Sequence, residues 1–547
     1  MIAILHGYLL EGSGSNLWTR SIVRSLVRDG ETVHLMCQEN QPELYDFIAE
    51  AYRYHRNGSV ETIFRRTTAY QGKCILHKPD IGDVLPVYVW DHYEEFPRVV
   101  PMIELPDDVL GQYIEWNKKA LRKILQRYPV SVLHANHAVL MSVVAREISR
   151  ETGRPYTIMP HGSAIEYTVK KDGRFFRWAE EAFRHAGRIF VIGREMRTRV
   201  LELFPNIADL AERLVELNLG VDTQMFVPLE TSQRRATIRR LIEHLHDHPR
   251  GKSSRQTRAF LQEASSLTNA QSLTALTQMH REYPAKLPDQ DVEAKLSRID
   301  WDREPILLFV GRLIAGKGLH SILAALPEVF SRSPEARLLV VGHGPLREAM
   351  ELLVYALSTG NQPLAEQIVH LGRALEGGPR EPLVTIQYYW QRLKREGGWA
   401  SYWQAAQRYL SLERVVFTGY LTHAELRYLF PCCDVAIFPS VVAEAGPLVF
   451  LEALSAGCFP MGTDFAGMAA SIDAVSAYLP PPVVEYMKIR PDAAHTVEDI
   501  ATKAPRALSE ASRYKESLRK AAVERYDWRR VAGRFSRELH RLGTIRS

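Results

Sequence analysis

The stretch DVAIFPSVVAEAGPLVFLEALSAGCFPMGTD, residues 434–464, contains one full repeat of an α/β protein. DVAIFPS (434–440) reads as a buried parallel strand and CFPMGTD (458–464) as the next one. Between them Pro447 suits the first turn of a helix, where its missing N–H costs nothing, and Gly457 suits the position just past the end. The predicted helix is therefore about Pro447–Ala456. Glu444 then falls in the loop at the strand's carboxyl end, where open α/β sheets bind ligands, and Glu452 lies more than a turn inside the helix. A helix-capping Glu444 and a solvated Glu452 would satisfy the same pattern.

Outward from this unit the alternation of short apolar runs and amphipathic stretches continues. Strands are predicted at 2–6, 31–37, 130–135, 156–160 and 188–193, and again at 305–311, 336–342, 415–419, 435–439 and 459–463. A helix at about Asn16–Arg28 joins the first two. The fold class is α/β, with two doubly wound, Rossmann-like parallel sheets in tandem. The extended segment NLGVDTQMFVP (218–228) marks the boundary, giving domains 1–217 and 218–525. Segments 229–304 and 351–410 interrupt the second sheet and have helical patterns. The first carries Arg234–Arg235 and Arg239–Arg240, expected on solvated faces. The second carries Tyr388, Tyr389, Trp390, Trp399, Tyr402 and Trp403, expected as a local core or a surface for self-association.

At 547 residues the chain is long enough for two domains of ~100–200 residues with insertions. A net charge of +5 is small for this length and argues for no nucleic-acid partner. The five cysteines form no C-x-x-C pair, so neither a disulfide framework nor a zinc knuckle is indicated. The N-terminus lacks a basic region, and its apolar run is broken by His6 and Gly7, against a signal peptide. No apolar run approaches the ~20 residues that cross a bilayer. The expectation is a cytoplasmic protein, with peripheral attachment at a membrane surface left open.

VGRLIAGKG (310–318) follows a strand and carries Arg312 and Lys317, cations that could hold a diphosphate without a metal. It is not a P-loop, because Gly318 stands where Ser or Thr is required. EGSGSNLW (11–18) could present backbone N–H groups to an anion, but Leu17 replaces the third glycine of the dinucleotide fingerprint. VGHGPLRE (341–348) fails likewise at Arg347. His161 in MPHG, and His134 and His137 in LHANH, fall at strand ends, where an imidazole can offer a hydrogen bond. The lone D-x-D triplet, Asp289–Gln290–Asp291, sits in a polar insertion and is a poor metal site.

Taken in order, the glycine-rich first loop, H-G after a strand, N-x-G-V-D-x-x-x-F-x-P at the boundary, G-R-L-x-x-x-K-G and E-x7-E resemble the retaining GT-B glycosyltransferases of family 4. The likeness covers about 1–30, 130–228, 305–350 and 411–470. It implies transfer of a hexosyl group from a nucleotide-diphospho-sugar to an acceptor hydroxyl, with retention and without metal or other cofactor. Arg312 and Lys317 would neutralise the diphosphate. Glu452 would bond the ribose, and Glu444 the donor sugar near the helix start at Gly446, Pro447 and Leu448. His161 would contact the sugar, Gly14 the diphosphate, and the Gly419–Leu421 backbone the base, with Leu421 against it. His134 and His137 are acceptor-side candidates. The final segment, 526–547, resembles the family's last helix, which returns to the first domain. The donor is left open among UDP-, GDP- and ADP-linked sugars, and the acceptor among sugars and glycolipids.

Three features depart from the family pattern. E-A-G-P replaces the usual E-G-F-G, AGMAASIDAV (466–475) replaces a glycine run, and the two insertions have no counterpart. Rival readings are a GT-B nucleotide-sugar epimerase or hydrolase and a non-catalytic sugar-nucleotide-binding subunit. A nicotinamide dehydrogenase is disfavoured by both broken glycine fingerprints.

Overall fold

Runs of four or five buried, mostly apolar residues leave no solvent-facing side along most of the strands, so their sheets must be covered on both sides. The computed structural model, which describes residues 1–11, 13–88, 96–267, 270–443 and 446–544, places these runs in two parallel-sheet units. One unit is Met1–Gly220 with Tyr526–Ser547, the other Val221–Arg525.

In the first unit the strands are β1 (Ile2–Leu5), β2 (Thr32–Met36), β3 (Ile48–Tyr54), β4 (Val60–Arg65) and β5 (Lys73–Pro79). There follow β6 (Val84–Val87), β7 (Arg98–Pro101), β8 (Val132–Asn136), β9 (Tyr156–Met159), β10 (Arg188–Val191) and β11 (Leu214–Glu216). Nine of them form one sheet in the order β11-β10-β9-β8-β1-β2-β5-β3-β4, and β6 pairs with β7 apart from it. Only β4 runs antiparallel, closing a hairpin with β3. Its three-residue loop, 56–58 between the bonded His55 and Ser59, uses Gly58 at φ +93°, the left-handed position such a hairpin needs. The Asn57–Gly58 pair is a hairpin signal within 40–130, where the sequence reading had placed no strand.

The helix Gly14–Arg28 begins two residues before its expected start, because the Ser13 hydroxyl accepts the Asn16 N–H and caps it. The last helix, Trp528–Thr544, belongs to this unit. Its Phe535 ring meets Trp18, His134 and Phe190 edge-on, and Ser536 Oγ donates to Glu31 at 2.6 Å. Gly220 is required here, since a Cβ would lie 2.2 Å from the Trp528 ring.

In the second unit β12 (Ile306–Val310), β13 (Arg337–Val341), β14 (Val415–Gly419), β15 (Val435–Phe438), β16 (Phe459–Thr463) and β17 (Lys488–Ile489) are all parallel. Their order is β14-β13-β12-β15-β16-β17. The chain builds outward from β12 in one direction and then from β15 in the other. The switch point therefore lies where the loops after β12 and β15 diverge, the place such sheets keep for ligands. No helix among the described residues is long and apolar enough to cross a membrane.

Both interrupting segments are helical, as expected. The first contains Arg234–Leu245, Ser254–Ala264, Ala270–Met279 and Val292–Ser297, and the second contains most of Arg347–Thr359, Gln362–Leu371, Val384–Glu396 and Trp399–Tyr409. Tyr389, Trp390, Tyr402 and Trp403 are buried in a local core, while Tyr388 is exposed. Arg234 corrects the expectation of a solvated basic face. It is buried and grips Asp434 with both terminal nitrogens, while Asp434 also accepts the Ile306 N–H. Arg235, Arg239 and Arg240 are exposed as expected.

Asp289 and Arg347, which looked like a poor metal ligand and a misplaced glycine, turn out to be partners. The Arg347 fork donates to both Asp289 oxygens at 2.6 Å, and Lys295 adds a third bond at 2.6 Å. Next to them Lys252, 1% exposed, donates to Glu348 at 2.9 Å and Glu351 at 2.5 Å. These charges dock the first insertion on the helix Arg347–Thr359 and on the end of β14, where Asp289 N–H donates to the Thr418 carbonyl at 2.8 Å. Removing one member strands a buried charge, so Asp289→Ala should cost the second unit about 3–5 kcal/mol in urea unfolding. Arg235→Ala, which breaks only exposed pairs with Asp300 and Asp302, should cost under about 1 kcal/mol. Equal effects of the two substitutions would refute this account of the docking.

Candidate active site

Four loops of the second unit gather at the carboxyl ends of β12–β15, and close backbone approaches hold them. A Cβ on Gly342 would lie 1.9 Å from the Gly311 carbonyl oxygen, and one on Gly318, at φ +75°, would lie 1.9 Å from that of Pro439. No other residue fits either position without moving the main chain. The Leu313 N–H donates to the His343 carbonyl at 2.7 Å. The Ser440 hydroxyl and Val441 N–H both donate to the Gly316 carbonyl, at 3.1 and 3.0 Å. The loop 311–318 is thereby fixed on both sides. Arg312 projects from it, exposed, and its side chain makes no hydrogen bond or ion pair among the described residues. Lys317 closes the short 3₁₀ turn Ala315–Lys317.

The helix after β15 runs Leu448–Ser455, one residue shorter at each end than expected. Pro447 caps it in an extended conformation rather than occupying its first turn, and its carbonyl accepts the Phe450 N–H at 3.1 Å. Gly446 and Leu448 are half-buried beside it. Glu444 lies outside the described residues. Glu452 is buried, 6% exposed, against the expectation of a solvated alternative. Its Oε1 lies 2.6 Å from His423 Nδ1, and its Oε2 is buried with no hydrogen-bond partner among the described residues. A buried carboxylate oxygen without a donor is costly, and a ligand hydroxyl would satisfy it.

His423 went unnoticed in the sequence. It opens the helix His423–Leu429, whose start is a capping box: Thr422 Oγ accepts the Ala424 N–H, and Glu425 Oε2 accepts the Thr422 N–H at 2.6 Å. That T-H-A-E pattern was legible as a helix start. Along Gly419–Leu421, the Tyr420 N–H is already given to the Leu287 carbonyl at 3.0 Å, so the first insertion occupies part of the backbone expected to meet a base. Leu421 is buried, and the rings of Tyr420 and His343 meet edge-on with centroids 5.1 Å apart.

In the first unit β1, β8 and β9 end on a cluster of imidazoles. His134 is wholly buried with both ring nitrogens engaged, by Thr157 at 2.8 Å and Asn136 at 3.2 Å. His6 bonds Asn16 at 3.1 Å and Thr19 at 3.2 Å. His137 is different: it adopts φ +73°, rare for a side-chain-bearing residue, and both its buried nitrogens lack partners among the described residues. His161 stands with its ring 4.7 Å from that of His137, and its Nε2 is likewise unpartnered. Tyr88 and Tyr8 wall the same cluster, 4.6 and 5.4 Å from His137. Gly14 starts its helix with open space where a Cβ would be, so packing does not demand a glycine there. All five cysteines are buried and unbridged, and burial pushes the Cys37 and Cys432 thiols up to about 12, which leaves them poor nucleophiles.

Residues 84–225 match the family model described as Glycosyltransferase Family 4, and 292–364 and 395–486 match models described as Glycosyl transferases group 1. An uncharacterised glycosyltransferase of Methanocaldococcus jannaschii is 26% identical over 156 residues, which is 28% of this chain and 26% of that protein's length. Among solved structures, sucrose-phosphate synthase of Thermosynechococcus elongatus is similar over 100% of this chain and 99% of its own, at 15% identity and a TM-score of 0.52. The catalytic domain of starch synthase IV of Arabidopsis thaliana, bound to ADP and acarbose, covers 99% of both chains at 11% identity and 0.55. HepE of Anabaena in complex with UDP-glucose covers 99% of this chain and 100% of its own at 11% identity and 0.50. These structural likenesses speak to the fold. The family matches make the chain a glycosyltransferase of the group 1/family 4 type, and the structural likenesses give it the GT-B fold.

Burial pushes His6 down to about 4 and His134 and His161 to about 3, and burial with the neighbouring imidazoles holds His137 well below its ordinary 6.5. These rings stay neutral in the native protein while the unfolded chain protonates its histidines below about pH 6.5. The unfolded state then binds more protons, so stability is complete above about pH 6.5 and falls as the pH drops towards about 4. Each of these histidines contributes a slope of at most about 1.4 kcal/mol per pH unit. Denaturant unfolding of the first unit, followed by hydrogen exchange across that window, should show this fall. The His161→Asn protein should show a shallower one, and a stability independent of pH would refute it.

Proposed function

We propose that this chain transfers a hexosyl group from a nucleotide-diphospho-sugar to an acceptor hydroxyl with retention of anomeric configuration and without a metal. The observation that carries the reading is Glu452: a buried carboxylate oriented by His423 through one oxygen, with its other oxygen unpartnered among the described residues, at the carboxyl edge of the second sheet. A ribose hydroxyl would donate to that oxygen, a hydrogen bond to a charged group. Arg312 and Lys317, on the loop pinned by Gly318 and Ser440, would take the diphosphate and stabilise the negative charge that gathers there as the sugar leaves. Glu444 is assigned to hydroxyls of the donor sugar, with the Gly446–Leu448 segment beside it. Leu421 and the backbone around it are assigned to the base. Gly14 is assigned to the diphosphate, His161 to the donor sugar, and His137 and His134 to the acceptor side. His137 is the stronger acceptor candidate, because His134 already has both nitrogens engaged.

The structural neighbours holding ADP or UDP-glucose support a sugar nucleotide as the donor class, with the base left to experiment. Self-association through 351–410 draws little support from its aromatic residues, of which Tyr388 alone is exposed. Thermal shift against UDP-, ADP- and GDP-sugars, with chelator present, tests the donor site directly. One nucleotide should raise Tm by mass action, and Glu452→Gln should weaken its binding by about 10–100-fold, the worth of a hydrogen bond to a charged group. Arg312→Ala should weaken binding of the nucleoside diphosphate itself. A chelator-sensitive shift would overturn metal independence, and no shift with any sugar nucleotide would overturn the donor site. Release of nucleoside diphosphate at an undiminished rate without any acceptor would favour the hydrolase or epimerase reading.

A further inference from the structure

The first insertion ends its helix Arg234–Leu245 with the sequence HLHDH (244–248), and the structure sets two of these imidazoles over a buried carboxylate far away in the chain. His244 Nε2 lies 3.2 Å from Glu425 Oε1, across 181 residues, and His248 Nδ1 lies 3.9 Å from the same oxygen. One ligand atom from each of the three falls within 4.8 Å of the others. The Glu425 side chain is 4% exposed, and its other oxygen is held by the Thr422 N–H. The two histidines are 35% and 38% exposed, so the cluster opens to solvent on the imidazole side.

We propose that His244, His248 and Glu425 form a Zn²⁺ site. A hydrogen bond explains His244 over Glu425 but not His248, which stands beyond hydrogen-bond distance and still turns Nδ1 to the same oxygen. A shared cation explains both. A tetrahedral Zn²⁺ with Zn–N and Zn–O distances of about 2.0–2.2 Å spaces its ligands roughly 3.3 Å apart. The His244–Glu425 separation already meets this, and rotation of the two partly exposed rings closes the rest. Two imidazoles and a carboxylate suit Zn²⁺ and leave one position for water. Glu425 has the oriented geometry a ligand needs, since its second oxygen is fixed by the backbone. The ion would fasten the insertion to the helix His423–Leu429, whose first residue bonds Glu452. The site is independent of the sugar-transfer reading.

Tag-free full-length protein, stripped with chelator, would be titrated with Zn²⁺ alone against a chromophoric competitor. The expected result is one ion per chain, a rise in Tm on binding, and the visible spectrum of tetrahedral coordination when Co²⁺ replaces it. His244→Ala and His248→Ala should each weaken binding by about a hundredfold and remove the Tm rise. The metal-stripped His248→Ala form should keep the parent Tm, because His248 is partly exposed and makes no hydrogen bond to Glu425, and so separates loss of a ligand from loss of fold. Absence of stoichiometric binding, or affinities in both variants within about tenfold of the parent, would overturn the site.

Discussion

An all-parallel sheet delivers every strand end to one edge, and the second unit is organised by that constraint. Six strands run the same way, so the loops that follow β12, β13, β14 and β15 must share a narrow strip. They share it by close main-chain contact. Gly342 lies on the Gly311 carbonyl and Gly318 on that of Pro439, approaches that any side chain would block. Rigid loops follow from this crowding. Arg312 can stand exposed, with no side-chain partner among the described residues, because its backbone is what the fold holds.

The same strip also explains the buried ions. The insertion that crosses the end of β14 brings polar backbone into an apolar setting, where the Asp289 and Tyr420 N–H groups are satisfied by Thr418 and Leu287. Lys252, Lys295 and Arg347 are set against Asp289, Glu348 and Glu351, three positive groups against three negative. Desolvating six charges costs more than their attraction need return, so the network is better understood as specifying one docking of the insertion than as a source of stability. Apolar residues in the same places would hold the segment but permit it to slide. A fixed insertion matters because it closes one side of the Gly419–Leu421 segment.

What the sequence disclosed follows from where its information lies. Strands buried on both faces announce themselves as apolar runs, and every predicted strand of the second sheet lies within two residues of the observed one. Glu452, Arg312 and Lys317 stand out as candidates because fixed spacing from a strand singles them out. Partners that depend on tertiary contact were not legible. Arg347 stood out as a failed glycine and Asp289 as a weak metal triplet, and nothing local shows that they are bonded across 58 residues. Arg234 looked solvated because its partner, Asp434, is 200 residues away. His423 was within reach, since Thr422 and Glu425 spell a capping box around it. The strands β3–β7 were missed despite Asn57–Gly58; among them β4 and β7 are of mixed polarity and carry little period-2 signal.

The imidazole cluster of the first unit raises a question of charge. Four histidines meet at the ends of β1, β8 and β9, and burial keeps all of them neutral near physiological pH. A neutral imidazole can donate or accept a hydrogen bond, whereas an imidazolium can only donate. On the proposed reading this distinction is chemical. A glycosyl group in transit carries developing positive charge on its ring, and a cation set against it would raise the barrier. Neutral His137 and His161 could orient hydroxyls without that penalty. His134 and His6, bonded within the domain, would then serve by position: they fill the floor of the cluster with polar groups already satisfied, which leaves the nitrogens of His137 and His161, unpartnered among the described residues, as the atoms a ligand would find.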